Sequence, residues 1–461
     1  MAKDTSEYSL NPYSYDEVPY TSKPFVQTNP DRMAVIGTLF GMTPQPIDAC
    51  RVLEIGCAGG GNLVPMAEQL PRSSFVGIDL SRVQIDEARR SAQDAGLTNI
   101  DLKQCDILDV NGGFGRFDYI ICHGIYSWVP NDVQDKILDI CAARLAPQGV
   151  AYVSYNIYPV WHMCGMIRDM MSYHTSRFRE SRTRIEQARL LLDFLAKNAS
   201  EQNAYGMLLK SELEVLRQHE DAYLFHEHLE EVNDPIYFHQ FVQRAVAKKL
   251  QYLGEAEMTS MWAGHLPPEV AGTLERVASD FVQMEQYTDF VRNRMFRQTL
   301  LCHRDLEVDR ELKPGSLAPL HVASPFIPAH PGADIRSAGP LKFQHLGHDL
   351  HLTASGPLMK AAMLCLAEAW PGSVPFPKLV STACSRVEGG SVHGTQGLAE
   401  STDELGRSLL ECYVSDMVEL HSAPPCFFAQ VGPRPAASRV ARAQVQSGEK
   451  LVTNLRHDYG R

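Results

Sequence analysis

Val52-Leu53-Glu54-Ile55-Gly56-Cys57-Ala58-Gly59-Gly60-Gly61 joins a short apolar run, acidic near its end, to a glycine-rich turn. Asn62-Leu63-Val64-Pro65-Met66-Ala67 follows at once and reads as the start of a helix. Strand, glycine turn and helix in that order bring a backbone close to a ligand and aim helix N–H groups at it. The stretch predicts a nucleotide-type site at the first crossover of an α/β fold.

On either side the pattern holds. Residues 74–79 form a second apolar run ending in Asp79, and 82–95 read as a helix closed by Gly96. Further strands are expected over 100–104, 117–122 and 149–155, with a helix over 133–145. Buried strands alternating with helices predict a parallel sheet covered on both faces, an open doubly wound α/β fold. Residues 158–236 carry no strand signal and read as helices over 162–175, 181–199 and 203–220. After a helix over 238–250 come strands over 250–257 and 296–303, separated by helices over 267–279 and 281–294. These late strands are expected to be the sixth and seventh of the same sheet.

The expected organisation is therefore an N-terminal arm over 1–30 and a core over 31–157. A helical insertion follows over 158–236, and the core is completed over 237–305. The prolines of residues 314–331 mark a boundary. Helices over 357–369 and 402–415, with a strand candidate over 417–420, suggest a winged-helix-like α+β domain over 306–461. The arm carries four tyrosines and four prolines between residues 8 and 30, unsuited to a helix but able to close over a pocket.

With 44% hydrophobic and 21% charged residues, the 461-residue chain has the composition of a globular protein. A net charge of −12 argues against a general nucleic-acid or anionic-membrane binder. No apolar run approaches the roughly 18–20 residues of a membrane span, and the polar first residues predict no signal peptide. The eleven cysteines include no C-x-x-C pair, so reduced thiols and a cytoplasmic location are expected. His345, His348 and His351 recur every three residues, as on one side of a helix, but no carboxylate partner is evident. His226-Glu227-His228 lacks the i, i+4 spacing of a zinc helix, and no metal is expected.

The acids discriminate between ligands. Ala58 stands where a dinucleotide turn wants its middle glycine, and a carboxylate at Glu54 would repel phosphate. The same carboxylate suits a cationic amino-acid end. Asp79 can accept both hydroxyls of a ribose, and Asp106, after the third strand, can reach an adenine amino group. Cys57, Ala58, Leu80, Cys105, Ile107 and His123 are expected to flank these groups.

Glu54, Gly56, Gly60, Asp79, Asp106 and the Phe117-Asp118-Tyr119-Ile120 strand resemble the class I S-adenosylmethionine-dependent methyltransferases. His123-Gly124-Ile125-Tyr126-Ser127-Trp128-Val129-Pro130, Ser154-Tyr155-Asn156-Ile157-Tyr158-Pro159, the arm over 15–25 and Asn233-Asp234-Pro235-Ile236-Tyr237-Phe238 narrow the resemblance. They look like those methyltransferases that carry a methyltransferase regulatory domain. The resemblance implies S-adenosyl-L-methionine as cofactor. Relatives in that group include bacterial protein-lysine methyltransferases acting on outer-membrane proteins.

Methyl transfer to an amine needs alignment and a neutral nucleophile, and a lysine at pKa ~10.4 is protonated at neutral pH. An aromatic pocket would lower that value and hold the amine. Tyr126, Trp128, Tyr155 and Tyr158 are expected to build it, joined by Tyr20 and Trp161. Asn156 is expected at the substrate and His123 as a general base. Two alternatives stay open, a small-molecule O- or N-methyltransferase and a non-catalytic cofactor-binding regulator. The partner is then an acceptor protein or small molecule rather than nucleic acid, and a homodimer is compatible with this reading.

Overall fold

The structure, a computed structural model, describes residues 14–18, 22–261, 266–330, 332, 334, 335, 339–388, 395–425, 432, 433 and 435–460. Seven strands form one sheet: β1 (Arg51–Ile55), β2 (Ser74–Asp79), β3 (Ile100–Gln104), β4 (Phe117–Cys122), β5 (Leu145–Asn156), β6 (Leu250–Glu255) and β7 (Phe296–His303). Their order is β3-β2-β1-β4-β5-β7-β6. The first five strands pair in parallel, while β7 runs antiparallel to both β5 and β6. The two late strands thus join the sheet as the sequence pattern predicts. The reversed direction of β7 has no signal in composition.

Side chains alternate between two cores, as the strand period requires. Val52, Phe75, Tyr119, Ile121, Val150 and Tyr152 face one side and meet the helices Pro30–Leu39, Leu63–Gln69 and Arg82–Asp94. Leu53, Ile55, Val76, Ile78 and Ile120 face the other and meet Asn131–Arg144 and Phe238–Ala247. Burial on both faces is why these strands read as continuous apolar runs.

The chain turns from β1, β2 and β3 on one side to β4 on the other, leaving a crevice at the strand C-termini where ligands of such sheets bind. Three helices stand beside that crevice: Val160–Thr175, Ser181–Asn198 and Ala204–Gln218. With the π-helical turn Phe225–Leu229 they share a separate small core around Ile167, Ala188, Leu209 and Phe225.

Beyond residue 306 the first core continues without a break into the C-terminal region. There β8 (His321–Ala323) lies between β12 (Val374–Pro375) and β13 (Glu419–His421). A second sheet holds β9 (Phe326–Pro328), β10 (Leu341–His345) and β11 (His351–Ala354). The helices are Pro357–Ala369, Phe376–Glu388 and Thr395–Tyr413, of which the middle one was not expected. The helical reading of His345, His348 and His351 is corrected. His345 ends β10 and His351 begins β11, so the spacing belongs to a hairpin, and no cluster able to hold a metal exists among the described residues. Helix Arg439–Gln446 then packs on Arg82–Asp94 and Leu63–Gln69, and the hairpin of β14 (Val452–Thr453) and β15 (Tyr459–Gly460) follows it. No helix among the described residues is long and apolar enough to cross a membrane.

Candidate functional site

The glycine turn after β1 has a backbone that few sequences permit. Gly56 has φ +74°, and a Cβ there would lie 2.3 Å from Ile125 Cδ1. Ala58 is also left-handed, at φ +45°. Gly60, at φ +78°, faces away from the crevice, where a Cβ would meet Val64 and Ala88 at 2.9 and 3.0 Å. Its role in this structure is close packing of two helices.

Glu54 is 4% exposed and carries one hydrogen bond, from Asn62 Nδ2 to Oε1 at 2.7 Å. Oε2 has no partner among the described residues and belongs to the cavity wall. Burial pushes this carboxyl up to about 8, against the pull of the Asn62 hydrogen bond and with a smaller push from Asp79. A buried carboxylate with a free oxygen suits an incoming ammonium, which would satisfy and ionise it together.

At the end of β2, Asp79 Oδ2 accepts from Ala58 N–H and Oδ1 from Ser81 N–H, both at 2.9 Å. Each oxygen keeps a lone pair for a ligand hydroxyl. Burial raises its pKa, and those backbone N–H groups oppose the rise. The cap of helix Arg82–Asp94 is Ser81, not Asp79, so the carboxylate is not consumed by the helix.

Two adjoining cavities meet at Gly56, Asp79, Ile125 and Trp128. The smaller, about 310 Å³, is walled by Leu80, Asp106, Ile107, Val129 and Val133, with Phe225, Leu229 and Val232 from the insertion. Arg184, Glu230 and Glu231 also line it, and the Asp106 carboxylate there accepts from Leu108 N–H through Oδ1 at 2.9 Å. Cys105 contributes its backbone N–H to Asp79 O and is not among the wall residues.

The larger, about 450 Å³, holds Glu54, Cys57, Ala58, His123, Trp128, Asn156 and Trp161. Asn156 Nδ2 and Trp161 Nε1, in residues 5% and 6% exposed, have no partner among the described residues. Ser22, Lys23 and Phe25 of the arm close one wall, with the Phe25 ring 3.9 Å from His123. Glu212, Tyr223, His226, Glu227 and His228 of the insertion close another.

Several expectations need correction. Tyr126 and Tyr155 lie fully inside the second core, with Tyr155 stacked on Phe241 at 4.0 Å and bonded to Thr299. Side chains alternate along β5, so when Asn156 faces the cavity Tyr155 must face the core. Tyr158 stacks on His162 at 4.0 Å, away from both cavities. His123 is a wall residue but a poor base. Burial, helped by Lys23, pushes its imidazole down to about 3, and Nδ1 contacts Tyr152 Oη at 2.9 Å and Ser154 Oγ at 3.2 Å. Tyr20 lies outside the described residues.

The sequence points to the arm as a pocket cover without singling out Ser22, Lys23 or Phe25, and it does not mark Asn62 or the acids Glu212 and Glu227 as site residues. His226-Glu227-His228 was tested only for metal geometry. Its π-helical turn shifts the usual side-chain spacing, a feature frequent at functional sites.

A sheet in this order, with acids near the end of β1, at the end of β2 and after β3 around one crevice, has the architecture of an S-adenosylmethionine-dependent methyltransferase. Residues 52–149 match the family described as "Methyltransferase domain", and residues 220–303 that described as "Predicted methyltransferase regulatory domain". The structure of PKMT2 from Rickettsia typhi in complex with AdoHcy superposes with a TM-score of 0.83 at 32% identity. It spans 96% of this chain and 86% of that one. Uncharacterized protein RP789 of Rickettsia prowazekii (strain Madrid E) is 38% identical over 450 residues, 96% of this chain and 80% of that one. An Actinobacillus pleuropneumoniae ubiquinone biosynthesis O-methyltransferase is 33% identical over 109 residues, 23% of this chain and 44% of that one. The chain belongs to the S-adenosylmethionine-dependent methyltransferases that carry a methyltransferase regulatory domain.

Proposed function

We propose that the protein methylates an amine, with a protein lysine as the acceptor, and that Glu54, Asp79 and Asp106 hold the amino-acid, ribose and adenine ends of the cofactor. The observation that carries the acceptor reading is Glu227. Its carboxylate belongs to the wall of the larger cavity, and burial pushes it up to about 7 despite the pull of His226 and Arg168. Beside it Glu212 receives His228 Nε2 at 3.1 Å. A hydroxyl acceptor would gain little from two carboxylates, whereas an ammonium gains an ion pair and a proton acceptor near neutral pH. The similarity to PKMT2 supports the same reading.

When bound, S-adenosylmethionine supplies a methyl group on a sulfonium. Glu227 takes one proton from the acceptor ammonium, in the cavity that Trp128 and Trp161 also line. The neutral nitrogen then attacks the methyl carbon as the carbon–sulfur bond breaks, leaving a thioether and a methylated ammonium. Ser22 to Phe25 and the Phe225–Leu229 turn exclude water. In this organisation 158–236 serves as a lid on a core made of 31–157 and 237–305.

The test supplies methyl-tritiated cofactor to a lysate of the producing cell and separates protein from small molecules. Label in protein, recovered as methyl-lysine after hydrolysis, supports the proposal, and label confined to the small-molecule fraction overturns it. Glu227→Gln should lower kcat/KM about 10²–10⁴-fold, the size of a lost general base, with AdoHcy affinity unchanged. The sign of the pH effect follows from the raised carboxyl. Glu227 works when ionised, so wild-type kcat/KM rises with pH through about 7, and the glutamine variant loses that limb.

A further inference from the structure

The hairpin of β14 and β15 reaches Asn62, the residue that follows the glycine turn, across a sequence separation of 395. His457, at its tip, is 1% exposed and held at φ +59°, a left-handed conformation that costs a non-glycine residue free energy. Its Nε2 lies 2.7 Å from Asn62 Oδ1. Oδ1 also accepts from Phe25 N–H at 2.9 Å, while Asn62 Nδ2 donates to Thr28 Oγ1 at 2.9 Å and to Glu54 Oε1 at 2.7 Å.

This arrangement permits one orientation of the Asn62 amide. Reversed, its NH2 would face the Phe25 N–H donor and its oxygen would face the Glu54 carboxyl. His457 must then carry its proton on Nε2. Burial pushes the imidazole down to about 3, so it stays a neutral, single-proton donor throughout the physiological range.

The same hairpin also reaches the arm. Tyr459 Oη donates to Ser22 O at 3.0 Å, and Ser22 Oγ accepts from Gly61 N–H at 2.7 Å. A Cβ on Gly61 would stand 2.5 Å from Ser22 C, so the arm backbone lies directly on the glycine turn. Further back, Val440 N–H donates to Glu68 at 3.1 Å, and Thr453 N–H donates to Gln444 at 2.8 Å, tying helix and hairpin to the core.

We propose that this hairpin is a strap that completes the amino-acid end of the cofactor site. His457 orients Asn62 and thereby Glu54, while Tyr459 pins the Ser22–Phe25 wall. Both are positioning residues. The inference rests on the reading that Glu54 faces the cofactor's ammonium, and the controls separate the two.

The test is calorimetric titration with AdoHcy, which carries the amino-acid end, and with 5′-methylthioadenosine, which lacks it. His457→Phe should weaken AdoHcy about tenfold or more, the effect of one lost buried hydrogen bond and a freed amide, and leave 5′-methylthioadenosine unchanged. His457→Gln, whose amide can donate to the same oxygen, should recover most of the loss. Tyr459→Phe should speed chymotryptic cleavage after Phe25 with AdoHcy present. Loss of both ligands together in folded His457→Phe, or of neither, overturns the strap provided Glu54→Gln loses AdoHcy alone. If Glu54→Gln binds AdoHcy as wild type does, the reading beneath the strap falls, and the strap with it.

Discussion

Asp79→Ala is expected to remove AdoHcy binding from the measurable range while the fold persists. Two hydrogen bonds from ligand hydroxyls to a charged acceptor are each worth about 1.5–3 kcal/mol, so their joint loss weakens binding roughly 10²–10⁴-fold. The backbone N–H groups of Ala58 and Ser81 lose their acceptor in the same substitution and the turn loosens, which adds to the loss. Asp79→Asn keeps one acceptor oxygen and should fall between the two. Titration calorimetry at neutral pH checks the order, and an alanine variant within threefold of wild type would remove Asp79 from the site. The melting temperature should change little, because Ser81 still caps helix Arg82–Asp94.

The largest stability effect is expected at Arg297, the second residue of β7. Its guanidinium is almost fully buried and bonds Glu255 at 2.6 Å, Glu285 at 3.0 Å and Asp289 at 2.9 Å, with the Phe238 ring 3.7 Å away. Arg294 adds a second cation 3.3 Å from Asp289. Removing Arg297 leaves three buried carboxylates with too little positive charge, at a cost of about 3–5 kcal/mol. Arg297→Met should therefore shift the urea transition of the core strongly to lower denaturant, and Arg297→Lys, which cannot make the forked contacts, should shift it partway. A transition unchanged in Arg297→Met would mean that the carboxylates find other partners. Glu255 also bonds Thr299, which in turn bonds Tyr155, so the loss should spread to the strand that carries Asn156.

Much of this structure is legible in sequence, for identifiable reasons. Strands buried on both faces announce themselves as apolar runs, and an acid ending such a run cannot be core without a partner. Hence the strand positions and the prominence of Glu54 and Asp79. The direction of a side chain within a turn is another matter. Tyr126 sits in a short 3-10 turn that folds it inward beneath Arg244, and nothing in His123-Gly124-Ile125-Tyr126 signals that. For Tyr155 the strand period alone would have sufficed once Asn156 was placed in the cavity. Glu227 was hidden because a π-helical turn breaks the 3.6-residue spacing by which helix faces are read. The family resemblance extends to Leu455-Arg456-His457, but the contact of His457 with Asn62 was beyond reach, since only the completed fold brings the two together.

The destination of the methyl group decides between a lysine acceptor and any other. Incubating the protein with deuterated-methyl S-adenosylmethionine and lysate proteins, then mapping the label by tandem mass spectrometry, answers this directly. A lysine acceptor with Glu227 as its base predicts label on lysine Nζ in wild type and little in Glu227→Gln. Label on hydroxyl oxygens, or equal labelling by the two enzymes, would contradict it.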